Sequence, residues 1–311
     1  MTVLVTGASG FIGSYVVMEL LERGFSVRAM VRDIKLKSIF RDSDKLEVVV
    51  GDLFDVDSLK QAIVGCEDVV HCAAALYVNA KDLKKEVVDP SIVGVRNLCS
   101  VMDDVKRVIH TSSVAAIRPT KYENGMVFDS KSWCDDASEE VNPYGFAKSE
   151  AEKIMRKWAE KRDVRLITIH PSVVFGPILH KRHAEGSMSY LKHFKGKFPF
   201  LLNIHVNFVD VRDVAKAHVN ALDLGENGSR IIIHKEGLWL KEIGRAIGKK
   251  WYVMPRLFAY FISIFHAKLS WRMINSSLNR FVDYDVEDAF QILNIEGYDS
   301  NTTLNDAFNS L

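Results

Sequence analysis

Cysteine is scarce in this chain. Four occur in 311 residues, at Cys66, Cys72, Cys99 and Cys134. None of them forms a C-x-x-C pair, which excludes the usual zinc and thioredoxin-like patterns. So few thiols in a chain this long fit a reducing compartment. Net charge is nearly absent too: 41 Lys and Arg against 40 Asp and Glu leave +1. There is no long basic block, so nucleic acid is not an expected partner, because its binding rests on clustered Lys and Arg. A long apolar run is also missing. A spanning helix needs about 20 mostly apolar residues. The segment Trp251–Ile274 is broken by Arg256, His266, Lys268 and Arg272, and its uninterrupted run, Leu257 to Phe265, is too short. A helix covering an apolar pocket is expected there rather than membrane contact. Strand-like sequence begins at Thr2 and leaves no room for a cleaved leader, so a cytoplasmic location is expected.

What the chain does have is a rhythm. Nearly half of it is hydrophobic, 48%, enough for a large core. "TVLVT", "SVRAMV", "LEVVVGD", "DVVHCAA", "VKRVIHTSS" and "VRLITIHP" read as six strands. Helix-period segments separate them, notably Pro90–Met102 and Pro143–Lys161. Strands alternating with helices imply a doubly wound α/β fold with a parallel sheet. After Pro171 the rhythm fades. The expected division is a dinucleotide-binding domain over 1–175, with 204–224 returning to its sheet. A smaller, discontinuous substrate lobe is expected from 176–203 and 225–311.

The opening "TVLVTGASGFIG" sets a strand, a glycine turn and a helix in succession. Gly7 permits a tight turn, Gly10 lets backbone approach a pyrophosphate, and Gly13 lets the helix pack closely. The helix start, at Phe11 and Ile12, offers unpaired N–H groups and a partial positive charge. The spacing is G-x-x-G-x-x-G, so it is read with its strand–turn–helix context rather than alone. At the end of the second strand an acid suits a ribose 2′-hydroxyl and an arginine suits a 2′-phosphate. The acid position falls near Val31, and Arg32 follows. Guanidinium matches phosphate with two prongs, and Lys35 and Lys37 add charge. NADP(H) is therefore expected over NAD(H), with Asp33 as a counter-signal.

Tyr144 and Lys148 are four apart and share one helix face. A nearby ammonium lowers a tyrosine pKa and equips the phenol to pass a proton near neutral pH. A serine at the end of the fifth strand, in "HTSS", can hold the same substrate oxygen.

With these residues in order, the chain resembles the extended short-chain dehydrogenase/reductases. Within them it is most similar to the group of dihydroflavonol reductase, cinnamoyl-CoA reductase and bacterial aldehyde reductases. "VTGASGFIGSYVV", "GDLFD", "VVHCAA", "RVIHTSS", "PYGFAKSEAEK", "HPSVVFGP" and "FVDVRDVAKAH" carry the resemblance, over most of the first 220 residues. It implies a Rossmann-type fold. It implies Tyr144 as proton donor, Lys148 as the group that orients the ribose, and Ser113 rather than Ser112 as the holder of the carbonyl. It also implies Asp52 and Leu53 by the adenine, Ala73 and Ala74 along the cofactor, and Pro171 and Val174 beside the carboxamide. One departure concerns the substrate. The plant dihydroflavonol reductases use an asparagine shortly after the serine, where this chain has Arg118, which puts a flavonoid in doubt. Arg118 either meets an anionic substrate or is solvated beside Pro119, and the second reading is slightly favoured.

His180 and His183 are too few for a metal site, and no metal is expected. His71 and His170 are read as structural, while Met188, Tyr190, Phe194 and Phe198 line a pocket or pack. The expected activity is NADP(H)-dependent reduction of an aldehyde or ketone on a fairly apolar small molecule, or the reverse oxidation, by a monomer or homodimer. Three rivals stay open: a nucleotide-sugar epimerase or dehydratase with NAD, a steroid or sterol dehydrogenase, and an NADP(H)-sensing scaffold.

Overall fold

The apolar runs become strands, buried on both faces except at the edge strand Leu46–Val50. The computed structural model of the chain describes residues 2–74, 80, 82–255, 257–258, 260, 278–286 and 288–311. The six expected strands are β1 (Thr2–Thr6), β2 (Ser26–Val31), β3 (Leu46–Val50), β4 (Cys66–His71), β5 (Arg107–Thr111) and β7 (Arg165–Pro171); the short β6 (Val127–Phe128) intervenes. With β11 (Arg230–Ile233) they form one seven-stranded sheet in the order β11-β7-β5-β4-β1-β2-β3. Every pairing in it is parallel. Val3, Leu4 and Val5 have no exposed surface, as continuous Val/Ile/Leu strands of a doubly covered parallel sheet require.

Helices cover both faces. α1 (Phe11–Glu22) and α6 (Val211–Asn220) pack together on one face, enclosing Val16, Val17, Leu20, Val214 and Ala217. α2 (Val56–Ile63), α3 (Asp89–Cys99) and α4 (Pro143–Arg162) cover the other, around Leu59, Leu98 and Met155. The strand order reverses between β1 and β4, so a crevice opens at their carboxyl ends, where ligands of this architecture bind.

The lobe is built from shorter pieces. β8 (Val173–Phe175), β10 (His205–Asp210) and β12 (Glu236–Trp239) make a three-stranded sheet, with the short α5 (Ser189–Lys192), α7 (Leu240–Ala246) and the helix Ser300–Ser310 packed nearby. Two parallel pairs complete it: β9 (Phe200–Leu201) with β13 (Tyr252–Val253), and β6 with β14 (Asp283–Tyr284).

The expected domain division shifts in two places. The strand at 205–210 does not return to the main sheet; it pairs with β8 and β12, and only α6 comes back. The seventh strand comes instead from 230–233, inside the segment assigned to the lobe. The cause is hydrophobic. Ile231, Ile232 and Ile233 are all buried, each worth about 1.5–3 kcal/mol removed from water. By contrast, "HVNFVD" has partly exposed positions at His205 and Asn207. Ala289, Leu293 and Ile295 likewise join the main core.

Most of the expected pocket-covering helix, 261–277, lies outside the described residues. Among the described residues no helix is long and apolar enough to cross a membrane.

Candidate active site

A cleft of about 880 Å³ runs along the carboxyl ends of β1, β4, β5 and β7. Its floor at one end is the glycine turn. Gly7 has φ +65°, and a Cβ there would lie 2.5 Å from the Ala73 backbone nitrogen. A Cβ on Gly13 would lie 2.2 Å from the Gly7 carbonyl oxygen. The first glycine is therefore fixed by handedness and by the neighbouring strand end, and the third by the helix folding back on its own turn. The Gly10 N–H donates to the Gly7 carbonyl at 2.9 Å. No side chain caps α1, and its first turn has no acid. The N–H groups of that turn face the cleft as an uncapped positive end, which fits a dinucleotide pyrophosphate.

Nearly every residue expected along a cofactor lines this cleft: Gly7, Gly10, Phe11, Ile12, Gly13, Arg32, Asp52, Leu53, Ala73, Ala74, Tyr144, Lys148, Pro171 and Val174. Lys37 does not. It lies on the 3-10 turn Ile34–Ile39 and reaches Asp42 at 3.3 Å in solvent. Asp33, the counter-signal beside Arg32, caps that turn by accepting the Lys35 N–H at 2.9 Å. Its carboxylate is occupied locally. Arg32 is exposed at the cleft edge and makes no ion pair with any described residue.

Farther along, α4 begins where Asn142 accepts the Gly145 N–H at 3.1 Å and Pro143 takes the first turn. This start sets Tyr144 at the cleft wall. Lys148, one turn on, is buried and donates to the Thr111 carbonyl at 3.3 Å. Burial pulls its pKa down from 10.5 to about 8, against the opposing pull of Cys72 and Glu152. The two serines after β5 part ways. Ser112 Oγ donates to Glu152 Oε2 at 2.7 Å and is committed. Ser113 lines the cleft, and among the described residues its Oγ accepts only the local Ala115 N–H at 3.1 Å.

Beneath this trio lies a buried polar cluster that the sequence reading did not find. Glu152 Oε2 meets His170 Nε2 at 2.7 Å, and Glu152 Oε1 accepts from Arg230 Nε at 2.7 Å. Burial pushes the Glu152 carboxyl up, but His170 and Arg230 outweigh it and hold it well below the carboxylate range. Arg230 also stands 3.6 Å over the Trp133 ring and donates to the Ser130 and Ser132 carbonyls. The sequence set His170 apart as structural, but no local pattern joined it to Glu152, one turn past Lys148, or to Arg230. His71 bonds Thr6 Oγ1 at 2.7 Å and stacks on His110 at 5.2 Å. Burial, then Lys148, lowers His71 to about 3, so it is neutral at pH 7. His183 bridges from the lobe to the Ser9 carbonyl at 3.1 Å, over the glycine turn. Among the described residues no three His, Cys, Asp or Glu gather as a metal site.

The far end of the cleft is walled by side chains from separate segments, including Tyr122, Tyr190, Asn207, Phe281 and Tyr284. Arg118 is there as well, with its guanidinium 5.0 Å from the centre of the Tyr122 ring. The favoured reading of Arg118 as a solvated loop residue does not hold. Met188 and Phe194 belong to the lobe core, Tyr190 lines the cleft and Phe198 is half exposed.

Comparison with known proteins adds relatives to this geometry. The family model for the NAD dependent epimerase/dehydratase family matches residues 3–233. Cinnamoyl-CoA reductase 1 from Petunia hybrida is 31% identical over 258 residues, 79% of this chain and 76% of that protein. Dihydroflavonol 4-reductase from Callistephus chinensis is 30% identical over 276 residues, 83% of this chain and 76% of that protein. Among solved structures, yeast methylglyoxal/isovaleraldehyde reductase Gre2 complexed with NADPH superimposes with a TM-score of 0.82 at 22% identity, over 100% of this chain and 98% of that one. Gre2 from Candida albicans in complex with NADPH gives 0.82 at 25% identity over the same shares.

Proposed function

The chain belongs to the NAD dependent epimerase/dehydratase family and is an oxidoreductase of its extended short-chain dehydrogenase/reductase group, and from that premise we propose that it reduces the carbonyl of a small, fairly apolar molecule with NADPH, or runs the reverse oxidation. The observation that carries this reading is the meeting, in one cleft, of Ser113, Tyr144 and a buried Lys148 with the uncapped glycine turn. The similar proteins described as reductases, two of them in complex with NADPH, point the same way.

In this reading Ser113 and Tyr144 hold the substrate oxygen. NADPH, when bound, supplies the hydride that the carbonyl carbon receives. Tyr144 passes its proton to the oxygen, and the product is an alcohol. Lys148, still largely protonated at pH 7, stabilises the tyrosinate left behind and bonds the ribose. Arg32 takes the 2′-phosphate, for which it has no internal competitor among the described residues, and this separates the reading from an NAD-holding epimerase. The aromatic and aliphatic wall of Tyr190, Phe281 and Val282 supports an apolar substrate body.

The test is NADPH oxidation by purified protein over a panel of aldehydes and ketones, with Tyr144→Phe in parallel. Tyr144→Phe is expected to lower turnover by about 10²–10⁴-fold while NADPH still binds. Wild-type protein that binds NADPH yet reduces no carbonyl would overturn the proposal.

A further inference from the structure

Arg118 is a cation inside the cleft that pairs with no carboxylate among the described residues. It sits five residues after Ser113, and its N–H donates to the Val114 carbonyl at 2.9 Å, so it belongs to the same short turn that carries that serine. Its guanidinium lies 5.0 Å from the centre of the Tyr122 ring, and its other electrostatic neighbours are Tyr284, Cys134 and Tyr190. Arg280 approaches the same ring at 5.9 Å and donates to the Tyr122 carbonyl at 3.4 Å. Two guanidiniums thus flank one tyrosine.

This arrangement is built into the fold. The Gly125 N–H donates to the Phe281 carbonyl at 2.9 Å, the Phe281 N–H donates to Asn124 Oδ1 at 2.8 Å, and β6 pairs with β14 just beyond. The segment with Tyr122 and the segment with Arg280 are therefore laced together beside Arg118.

Among the described residues no carboxylate pairs with either charge. The three acids lining the cleft are all engaged elsewhere. Asp52 accepts from the Phe54 N–H at 2.9 Å, Glu86 from the Asp82 N–H at 2.8 Å, and Glu185 pairs with Lys192 at 3.1 Å. Asp283, close by on β14, meets His234 at 3.1 Å. Outside the described residues the only acid is Glu287; the stretch 261–277 contains none. Arginine stays charged at any working pH, and a partly desolvated guanidinium gains most from a charge-assisted, two-pronged bond.

Building on the reductase reading above, we propose that the cleft takes a carbonyl compound bearing an anionic group, carboxylate or phosphate, and that Arg118, with Arg280, binds that group. The substrate is then amphipathic, with an apolar body against Tyr190, Phe281 and Val282 and its charge on Tyr122's two arginines.

The experiment compares matched benzaldehydes with NADPH: 4-methyl, 4-carboxy and the 4-formylphenyl phosphate. In wild-type protein at least one anionic aldehyde is expected to exceed the neutral one tenfold or more in kcat/KM, chiefly through KM. The better of the two anions identifies the group. Arg118→Gln is expected to collapse that ratio at least tenfold, and Arg118→Lys to keep part of it. A neutral preference in wild-type protein, or an unchanged ratio in Arg118→Gln, overturns the anion site and leaves the reductase reading standing. If no aldehyde is reduced, the reductase reading falls, and titration of NADPH-loaded protein with benzoate and phenyl phosphate decides the anion site alone. Weaker binding by Arg118→Gln then upholds it, and equal binding overturns it. Should Arg118→Gln fail to fold, the exposed Arg280→Gln carries the same comparison.

Discussion

The two ends of the cleft are made of different material. At the glycine-turn end the floor is main chain, with the Arg32 side chain at its edge: Gly7 and Gly13 sit where any side chain would strike backbone, and α1 presents bare N–H groups. At the substrate end the contacts come from side chains on Arg118, Tyr122, Tyr190, Asn207 and Arg280, carried by segments far apart in sequence. Backbone geometry admits few alternatives, so the first end is confined to a narrow set of residues. Side-chain walls can be rewritten one residue at a time without disturbing the turn. In the proposed reading a pyrophosphate meets the part that cannot vary, and the choice of substrate falls to the part that can.

The seam between the two ends offers the strongest way to break this contrast. Glu152→Gln leaves Arg230 buried without its carboxylate, and a loss of about 3–5 kcal/mol in stability is expected, read as the urea midpoint. A variant that kept its midpoint but lost turnover would make Glu152 part of the chemistry rather than the support under both ends. At the cofactor end, Arg32→Gln removes a charge-assisted bond worth about 1.5–3 kcal/mol. The KM for NADPH is expected to rise about 10–100-fold with NADH little changed. Lys37→Ala serves as its control, because an exposed pair contributes about 1 kcal/mol or less, and NADPH kinetics should not move. A smaller and graded effect is expected from pH. Folding lowers Lys148 from 10.5 to about 8, so reductive turnover should fall as pH rises through 8 and the ammonium is lost. Stability should move the opposite way. The unfolded chain holds that proton up to 10.5, so the cost of burying the charge is present below pH 8 and fades between 8 and 10.5. Turnover that stayed flat to pH 10 would detach Lys148 from the proton transfer.

What the sequence made legible follows the same line. The six strands announced themselves as short Val- and Ile-rich runs, and the glycine turn by residues whose side chains are missing for a steric reason. Tyr144 and Lys148 were visible because helical spacing alone puts them on one face. Lys37 misled because charge near a phosphate site says nothing about direction, and its turn points it at Asp42. Arg118 was misread because its surroundings come from the laced segments 122–128 and 279–285, which no local pattern connects. The Glu152 cluster was hidden for the same reason: its members come from α4, the end of β5, β7 and β11.

The placement of β11 has a consequence for how the molecule comes into being. One edge strand of the main sheet, Arg230–Ile233, leaves the ribosome only after the first part of the lobe, through β10 (His205–Asp210), has been made. Until then β7, from Arg165 to Pro171, has an open edge of unpaired amides and carbonyls, a template for pairing with another nascent chain. Closing that edge requires a contact between residues about sixty positions apart, such as Ile169 with Ile231, and such long-range pairings form late and slowly. A fragment ending near residue 175 would keep that edge for good.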